Sequence, residues 1–226
     1  MGILQNRVAI ISGAGTGLGR AASISFAASG ADVVLLGRRM EKLEETAALV
    51  KAKSQKDALI LQTDVSEEQQ VLDAVSAVIA HLGRIDIILN NAAVFESGTV
   101  LELTSDEWQN QISTNLTGPF LLTKAVLPVM RKAKYGRIIN ITSGLSWNGA
   151  GGYAAYSAAK AGLESLTRTL AGEEHEHGIL ANLYNPGTLR TEMHATGKDP
   201  AIVTPDLIRL ASLPAGGPTG TIVSYG

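Results

Sequence analysis

Short continuous apolar runs alternate along this chain with longer segments in which apolar residues recur at helical spacing. The runs are RVAIIS (7–12), DVVLL (32–36), ALILQ (58–62), DIILN (86–90), GRIINI (136–141), ILANLY (179–184) and TIVS (221–224). Most do not alternate apolar with polar, as a strand with one wet face would. Such runs mark strands covered on both faces, as in a parallel sheet. Between them, residues 17–29, 41–53, 67–82, 105–131 and 154–177 carry helical spacing. Ser105 or Asp106 can cap the fourth of these helices, and Ser66 with Gln69 makes a capping-box signature at the third. Strands alternating with helices predict right-handed βαβ units and a doubly wound α/β fold: one domain over 1–226 with a seven-stranded, mostly parallel sheet and helices on both faces. A ligand is then expected at the carboxyl ends of the strands, near the switch point of the sheet.

Composition narrows the picture. The chain has 226 residues, 45% hydrophobic and 18% charged, which fits a globular domain and not a disordered one. With 19 Lys+Arg against 21 Asp+Glu the net charge is −2, without the basic excess of a nucleic-acid binder. The absence of cysteine removes a disulfide framework, a Cys-ligated zinc and a thiol nucleophile together. The start lacks the charged and apolar regions of a signal peptide, and no apolar run reaches the roughly 18 residues of a membrane span. A cytoplasmic protein with no membrane or nucleic-acid partner is expected.

The first run is followed by Ser12-Gly13-Ala14-Gly15-Thr16-Gly17-Leu18-Gly19 and then a helix. A glycine-rich run alone can be a plain turn. Between a strand and a helix it is a Rossmann-like phosphate site, where close backbone approach combines with the free N–H groups of the helix start. An NAD site usually has a carboxylate at the end of the second strand for the ribose 2′-hydroxyl. Here that place reads Leu36-Gly37-Arg38-Arg39. Two guanidiniums suit a 2′-phosphate, so NADP is expected rather than NAD. The alternative is a solvated basic start to the Glu41-Lys42-Leu43 helix.

Tyr156-Ser157-Ala158-Ala159-Lys160 places a phenol and an ammonium four apart on one helix face. A free phenol has a pKa near 10, too high for proton transfer at neutrality, and a cation nearby lowers it. Tyr156 is then a candidate general acid/base. A surface pair without chemistry is the other reading of this spacing.

With these residues in view, the chain resembles the short-chain dehydrogenase/reductase family over nearly its whole length. The family's glycine pattern matches Gly13, Gly17 and Gly19, its adenine contact Asp64-Val65, and its turn after the fourth strand Asn90-Asn91-Ala92-Ala93. The helix asparagine matches Asn115, the serine Ser143, the Tyr-x-x-x-Lys pair Tyr156 and Lys160, and the Pro-Gly turn Pro186-Gly187, with Thr191 following. The resemblance implies an enzyme that interconverts a carbonyl and a secondary alcohol by hydride transfer. It casts Tyr156 as proton carrier, Ser143 as hydrogen-bond donor to the reacting oxygen, and Lys160 as the group that holds the nicotinamide ribose and lowers the phenol's pKa. Asn115 would offer a backbone carbonyl to a water, and Pro119, which has no N–H, would free that carbonyl at a kink. Gly13, Gly15, Thr16, Gly17, Leu18, Gly19, Arg38, Arg39, Asp64, Val65, Asn91, Ala92, Ala93, Tyr156, Lys160, Pro186, Gly187, Leu189 and Thr191 would line the cofactor. A 3-oxoacyl-carrier-protein reductase is one specific possibility, and a catalytically silent NADP-binding regulator another.

Departures from the family matter too. Ala93 stands where the family has glycine, at a cost of about 1 kcal/mol if the position needs a left-handed backbone. Residues 191–205 make a short substrate lid, with Gly197 and Pro200 inside it. Phe95, Trp147, Tyr153 and Met193 are candidates for an apolar pocket wall. Glu173-Glu174-His175-Glu176-His177 reads as a solvated charged helix end rather than a metal site. The sequons at Asn115 and Asn140 fall in a helix and a buried strand. Small residues Ala154, Ala158, Ala161 and Gly162 permit close helix approach, and the resemblance implies a homodimer or homotetramer.

Overall fold

The computed structural model describes residues 2–225, so the two end residues of the expected 1–226 domain lie outside the described residues. Seven strands form one sheet: β1 (Val8–Ser12), β2 (Asp32–Gly37), β3 (Leu59–Gln62), β4 (Ile87–Asn90), β5 (Gly136–Ile141), β6 (Ile179–Asn185) and β7 (Ile222–Ser224). Their order is β3-β2-β1-β4-β5-β6-β7 and every neighbouring pair is parallel. The order reverses between β1 and β4, which opens the crevice above those two strands.

Successive side chains on a strand point to opposite faces, and both faces here are covered. Ala9, Ile11, Leu35 and Leu89 join the core under α1 (Gly17–Ala28) and α2 (Met40–Ser54). Val8, Ile10, Val34 and Ile88 join the core under α3 (Glu68–Leu82) on the other side. Unbroken apolar runs in the sequence are the consequence.

The expected helix 105–131 is three segments: α4 (Ser105–Ile112), a π-helical turn (Ser113–Thr117) and α5 (Gly118–Ala133). Pro119 enters at the first turn of α5, and the Gly118 N–H reaches back five residues to the Ser113 carbonyl. The irregularity therefore falls around Asn115, as a widened turn. Thr104, and neither Ser105 nor Asp106, caps α4 through a full capping box with Glu107. At α3 the expected box is absent. The Ser66 hydroxyl donates to Asp64 instead, Gln69 donates to Asp73, and Glu67 takes the cap position.

A short α6 (Leu145–Asn148) follows β5, and α7 (Ala154–Glu174) ends in a 3-10 turn at His175–His177. After β6, a second 3-10 turn (Pro200–Val203) leads into α8 (Thr204–Ala211). Helix α8 buries Thr204, Leu207, Leu210 and Ala211 and rests on α1, with Ser25 donating to Thr204 at 2.9 Å. Tyr184 on β6 donates to Asp206 at 3.0 Å and ties α8 to the sheet. The later half of the expected 191–205 lid is thus an anchored element.

Candidate active site

The turn after β1 is shaped by what presses on it. Gly13 and Gly17 have φ of +64° and +51°, where a side chain is strained. A Cβ on Gly13 would come within 2.8 Å of the Ala92 Cα, and one on Gly17 within 2.9 Å of Thr191. A Cβ on Gly19 would collide with the Gly13 carbonyl oxygen. Three loops, after β1, β4 and β6, therefore close on one another with no room for side chains between them.

Ser12, a residue sequence reasoning passed over, joins two of them. Its hydroxyl accepts from the backbone N–H groups of Asn91 and Ala92, each at 3.0 Å, and Asn91 Nδ2 donates to the Ser12 carbonyl at 3.0 Å. Arg20 was missed as well: its guanidinium holds the Gly15 carbonyl at 2.9 and 2.6 Å from inside α1. Ser12 stood in the glycine-rich run without a role assigned to it, and Arg20 had no motif to mark it, since each acts through the backbone. Ala93 does not adopt a left-handed backbone, so the expected strain does not arise.

Above this floor lies a cleft of about 770 Å³. It is lined by Gly13, Gly15, Thr16, Gly17 and Leu18 from the turn and by Arg38, Arg39, Asp64 and Val65 beyond β2 and β3. Asn91, Ala92, Ala93, Ser143, Tyr156, Lys160, Pro186, Gly187, Leu189 and Thr191 complete the set that the resemblance implied, while Lys42 and Glu192 line it without having been expected. Gly19 stands behind the turn and Asn115 behind the wall.

The two arginines already have partners. Arg38 lies 3.7 Å from Asp64, whose carboxylate also accepts from the Ser66 N–H and hydroxyl. Arg39 pairs with Glu192 at 2.6 Å. That contact holds the Glu192 carboxyl below its ordinary range, with Lys42 and Arg20 adding to the effect.

The opposite end of the cleft holds Tyr156 and Lys160. Lys160 is buried, and its Nζ donates to the Ile141 carbonyl at 2.7 Å. Burial pulls its pKa down to about 8. Burial also pushes the Tyr156 phenol up; a hydrogen bond with Ser143 pulls the other way, and Tyr153 adds to the rise. This differs from the expectation that Lys160 lowers the phenol. The ammonium points to the Ile141 carbonyl and stands 5.6 Å from the centre of the Tyr156 ring.

Asn115 is fully buried and exchanges two hydrogen bonds with Val94: the Val94 N–H donates to Oδ1 at 2.9 Å, and Nδ2 donates to the Val94 carbonyl at 2.8 Å. Phe95 stacks on Tyr153 at 4.5 Å and meets Tyr156 edge-on at 5.7 Å, so these aromatics brace the phenol. Met193 lines the mouth, whereas Trp147 stands in solvent at 93% exposure and forms no part of the wall. The mouth segment is tied to itself: Arg190 donates to the Lys198 carbonyl, and Thr191 and His194 bond each other's backbone. Glu174, expected on a solvated charged face, is buried and held by both Arg131 Nε and Nη2. Both sequon asparagines, Asn115 and Asn140, are buried.

Residues 7–200 match the family model described as short chain dehydrogenase. The chain is 36% identical over 193 residues to a 3-oxoacyl-(acyl-carrier-protein) reductase of Synechocystis sp., spanning 85% of this chain and 78% of that protein. It is 39% identical, also over 193 residues, to a hydroxy(phenyl)methylsuccinyl-CoA dehydrogenase subunit of Thauera aromatica, spanning 85% and 77%. Its fold superposes on the crystal structure of levodione reductase with a TM-score of 0.93 at 29% identity, covering 98% of this chain and 96% of that one. A parallel doubly wound sheet with a glycine cradle at its switch point is the architecture of a dinucleotide-binding domain, and the matches say which kind. The chain belongs to the short-chain dehydrogenase/reductase family, whose members act on CH–OH and C=O groups with a nicotinamide cofactor.

Proposed function

We propose that the protein is an NADP-dependent oxidoreductase that interconverts a carbonyl and a secondary alcohol, with Tyr156 as the proton carrier. The residues fit the cofactor. The glycine turn leaves no room for side chains where a pyrophosphate would approach backbone N–H groups, and Arg38 and Arg39 line the same cleft in place of a carboxylate after β2. Lys160 and Tyr156 would face the nicotinamide ribose. When bound, the cofactor supplies the hydride for reduction or accepts it in the reverse direction.

The chain's own groups do the rest. Tyr156 gives its proton to the substrate oxygen as charge develops there, and the Ser143 hydroxyl donates to the same oxygen. Burial keeps the phenol in its protonated, donating form, and in the reverse direction the same oxygen takes the proton back. Asn115 fixes the loop at Val94, which lines the cleft, through its paired hydrogen bonds. The expected lid is limited to residues 191–199, with the remainder anchored through α8.

The reading rests on one observation above others: a buried lysine and a half-buried tyrosine, four apart on α7, share a cleft with the glycine turn. Following NADPH absorbance against a panel of ketones, aldehydes and acetoacetyl-CoA tests it. Wild type should oxidise NADPH with at least one of them, and Tyr156→Phe should abolish turnover while NADPH still binds by fluorescence titration. Retained turnover in that variant would refute the assignment. Acetoacetyl-CoA is included because the Synechocystis relative is named a 3-oxoacyl reductase. Binding without turnover of any substrate would support the silent regulator instead.

A homodimer or homotetramer is part of the proposal, with light scattering to choose between them. Ala158 and Ala161 are exposed on α7, as is Phe120 on α5. Gly162 does not serve such an interface, because a Cβ there would come within 2.9 Å of Leu116 in the same chain.

A further inference from the structure

Tyr156, Lys160, Glu164 and Arg168 follow one another at intervals of four along α7 and so lie on one face. Three of them meet three consecutive residues where β5 ends. Lys160 donates to the Ile141 carbonyl at 2.7 Å, Thr142 Oγ1 donates to Glu164 Oε1 at 2.8 Å, and Ser143 lines the cleft beside Tyr156, close enough to draw its pKa down. Two of these contacts belong to the machinery already described. The third does not.

Glu164 is a carboxylate with only 11% of its side chain exposed, and it faces the site rather than solvent. Besides Thr142, its Oε1 accepts from the Ser146 hydroxyl, which also lies 2.6 Å from the Ser143 carbonyl oxygen. The Ser146 N–H donates to that same carbonyl at 3.0 Å. Arg168 Nη2 sits on the other carboxylate oxygen at 3.0 Å and supplies the balancing charge. The hydroxyls that flank Ser143, on Thr142 one place before it and on Ser146 three places after, are thus held by one carboxylate. Ser143 itself is left with its own hydroxyl pointing to the cleft, where it also accepts from the Leu145 N–H at 3.3 Å.

We propose that Glu164 is a positioning residue for the reaction: through Thr142 and Ser146 it fixes the turn that carries Ser143, and so sets where the Ser143 hydroxyl stands against Tyr156. The inference rests on the reading that Ser143 and Tyr156 act on the substrate oxygen. A buried carboxylate that held the helix in place for stability alone would need neither link to the turn, and Arg168 would be partner enough. A hydroxyl displaced by about an ångström can cost on the order of 100-fold in rate.

The test compares Glu164→Ala with Glu164→Gln, using NADPH and whichever carbonyl of the panel wild type turns over fastest. Glutamine keeps an oxygen that can accept from both hydroxyls, while toward Arg168 it replaces the accepting oxygen by an amide nitrogen and gives up the ion pair, which Arg168 can leave for solvent. Expected for Glu164→Ala is a kcat lower by roughly 10- to 100-fold, with NADPH binding by fluorescence titration unchanged. Glu164→Gln should recover most of that loss. A second readout needs no substrate. The Tyr156 phenol is titrated by ultraviolet difference absorbance against the Tyr156→Phe variant, and its midpoint should move upward in Glu164→Ala as the Ser143 hydrogen bond loosens. Ser146→Ala removes the link at the turn without touching a charge, and it should shift kcat and the phenol midpoint in the same directions even if Glu164→Ala folds poorly.

A lowered melting temperature with unchanged kcat and phenol midpoint in Glu164→Ala and Ser146→Ala would overturn the proposal, as would a glutamine variant no better than alanine. Failure of the underlying reading looks different: Tyr156→Phe would then retain turnover whatever Glu164 does.

Discussion

The Lys160 ammonium and the Ile141 carbonyl form a buried pair at 2.7 Å with no carboxylate joined to the lysine among the described residues. Burial draws the lysine pKa from 10.5 to about 8. The unfolded chain keeps the lysine proton up to its ordinary value, while the folded chain releases it near 8. Between those values the unfolded state binds more protons, so stability rises with pH through this window. The shift corresponds to about 3 kcal/mol, all of it a cost at neutral pH. Lys160→Met removes the titration. Urea unfolding should show wild type gaining about 3 kcal/mol relative to this variant between pH 8 and 10.5, with a constant difference below pH 7. A difference that stays flat across the whole range would mean that the ammonium is not buried in the folded state.

Arg39 and Glu192 bring the second prediction. If Arg39 holds a 2′-phosphate, Glu192 is its competitor, because one guanidinium edge cannot pair fully with both anions. The pair is half-exposed, so its loss is worth at most about 1 kcal/mol. Glu192→Gln should therefore tighten NADPH binding by about 2- to 5-fold and leave NADH binding unchanged, with the gain shrinking as salt is raised. Arg39→Ala should weaken NADPH selectively. Equal effects on the two cofactors, measured by fluorescence titration, would remove Arg39 from the 2′-phosphate site.

The same pair shows where sequence reasoning stops. The position of both arginines at the cleft was legible, because their place after the second strand follows from local pattern. Glu192 lies 153 residues from Arg39, and only the fold brings them together. The strands were read to within a residue or two because the central ones are apolar on both faces, and that signal is strong and local; the edge strands β3 and β7 are more exposed and were read from their short apolar runs. The break at Asn115 was legible through Pro119, which cannot donate at its position. The capping of α3 was misread because Ser66 had a nearer acceptor in Asp64. Helix α8 was missed because its eight residues sit among prolines and glycines, and what holds it is the distant packing on α1. Lys160 was given the right neighbour and the wrong effect, since its contact is a backbone carbonyl that no motif contains.

Asn115 and Val94 supply a third prediction. Two backbone groups of Val94 depend on one side chain, and an unpaired buried backbone group costs about 1–3 kcal/mol. Asn115→Ala should lower stability by about 2 kcal/mol or more and slow turnover together, because the loop beside the reacting groups loosens. Asn115→Asp keeps the acceptor for the Val94 N–H but sets an oxygen against the Val94 carbonyl, so it should not restore stability. Thermal unfolding that finds either variant within 0.5 kcal/mol of wild type, a threshold about that of an ordinary surface change, would show that the pair does not hold the loop.

The last prediction concerns Arg131 and Glu174, far from the cleft. Glu174 is 1% exposed and gripped by two nitrogens of Arg131, which is itself half in solvent. The two partners are therefore not equivalent. Removing the arginine leaves a buried carboxylate without its ionic partner. Removing the carboxylate leaves an arginine that can turn to water. Arg131→Ala should be the more damaging single change in urea unfolding, and Glu174→Ala the milder. The double variant Arg131→Ala/Glu174→Ala should be more stable than Arg131→Ala alone, because it removes the unpaired charge. If Arg131→Ala proves the milder of the two, or the double variant is the sum of both losses, the carboxylate is hydrated in solution and the helix end is the solvated face that its sequence suggested.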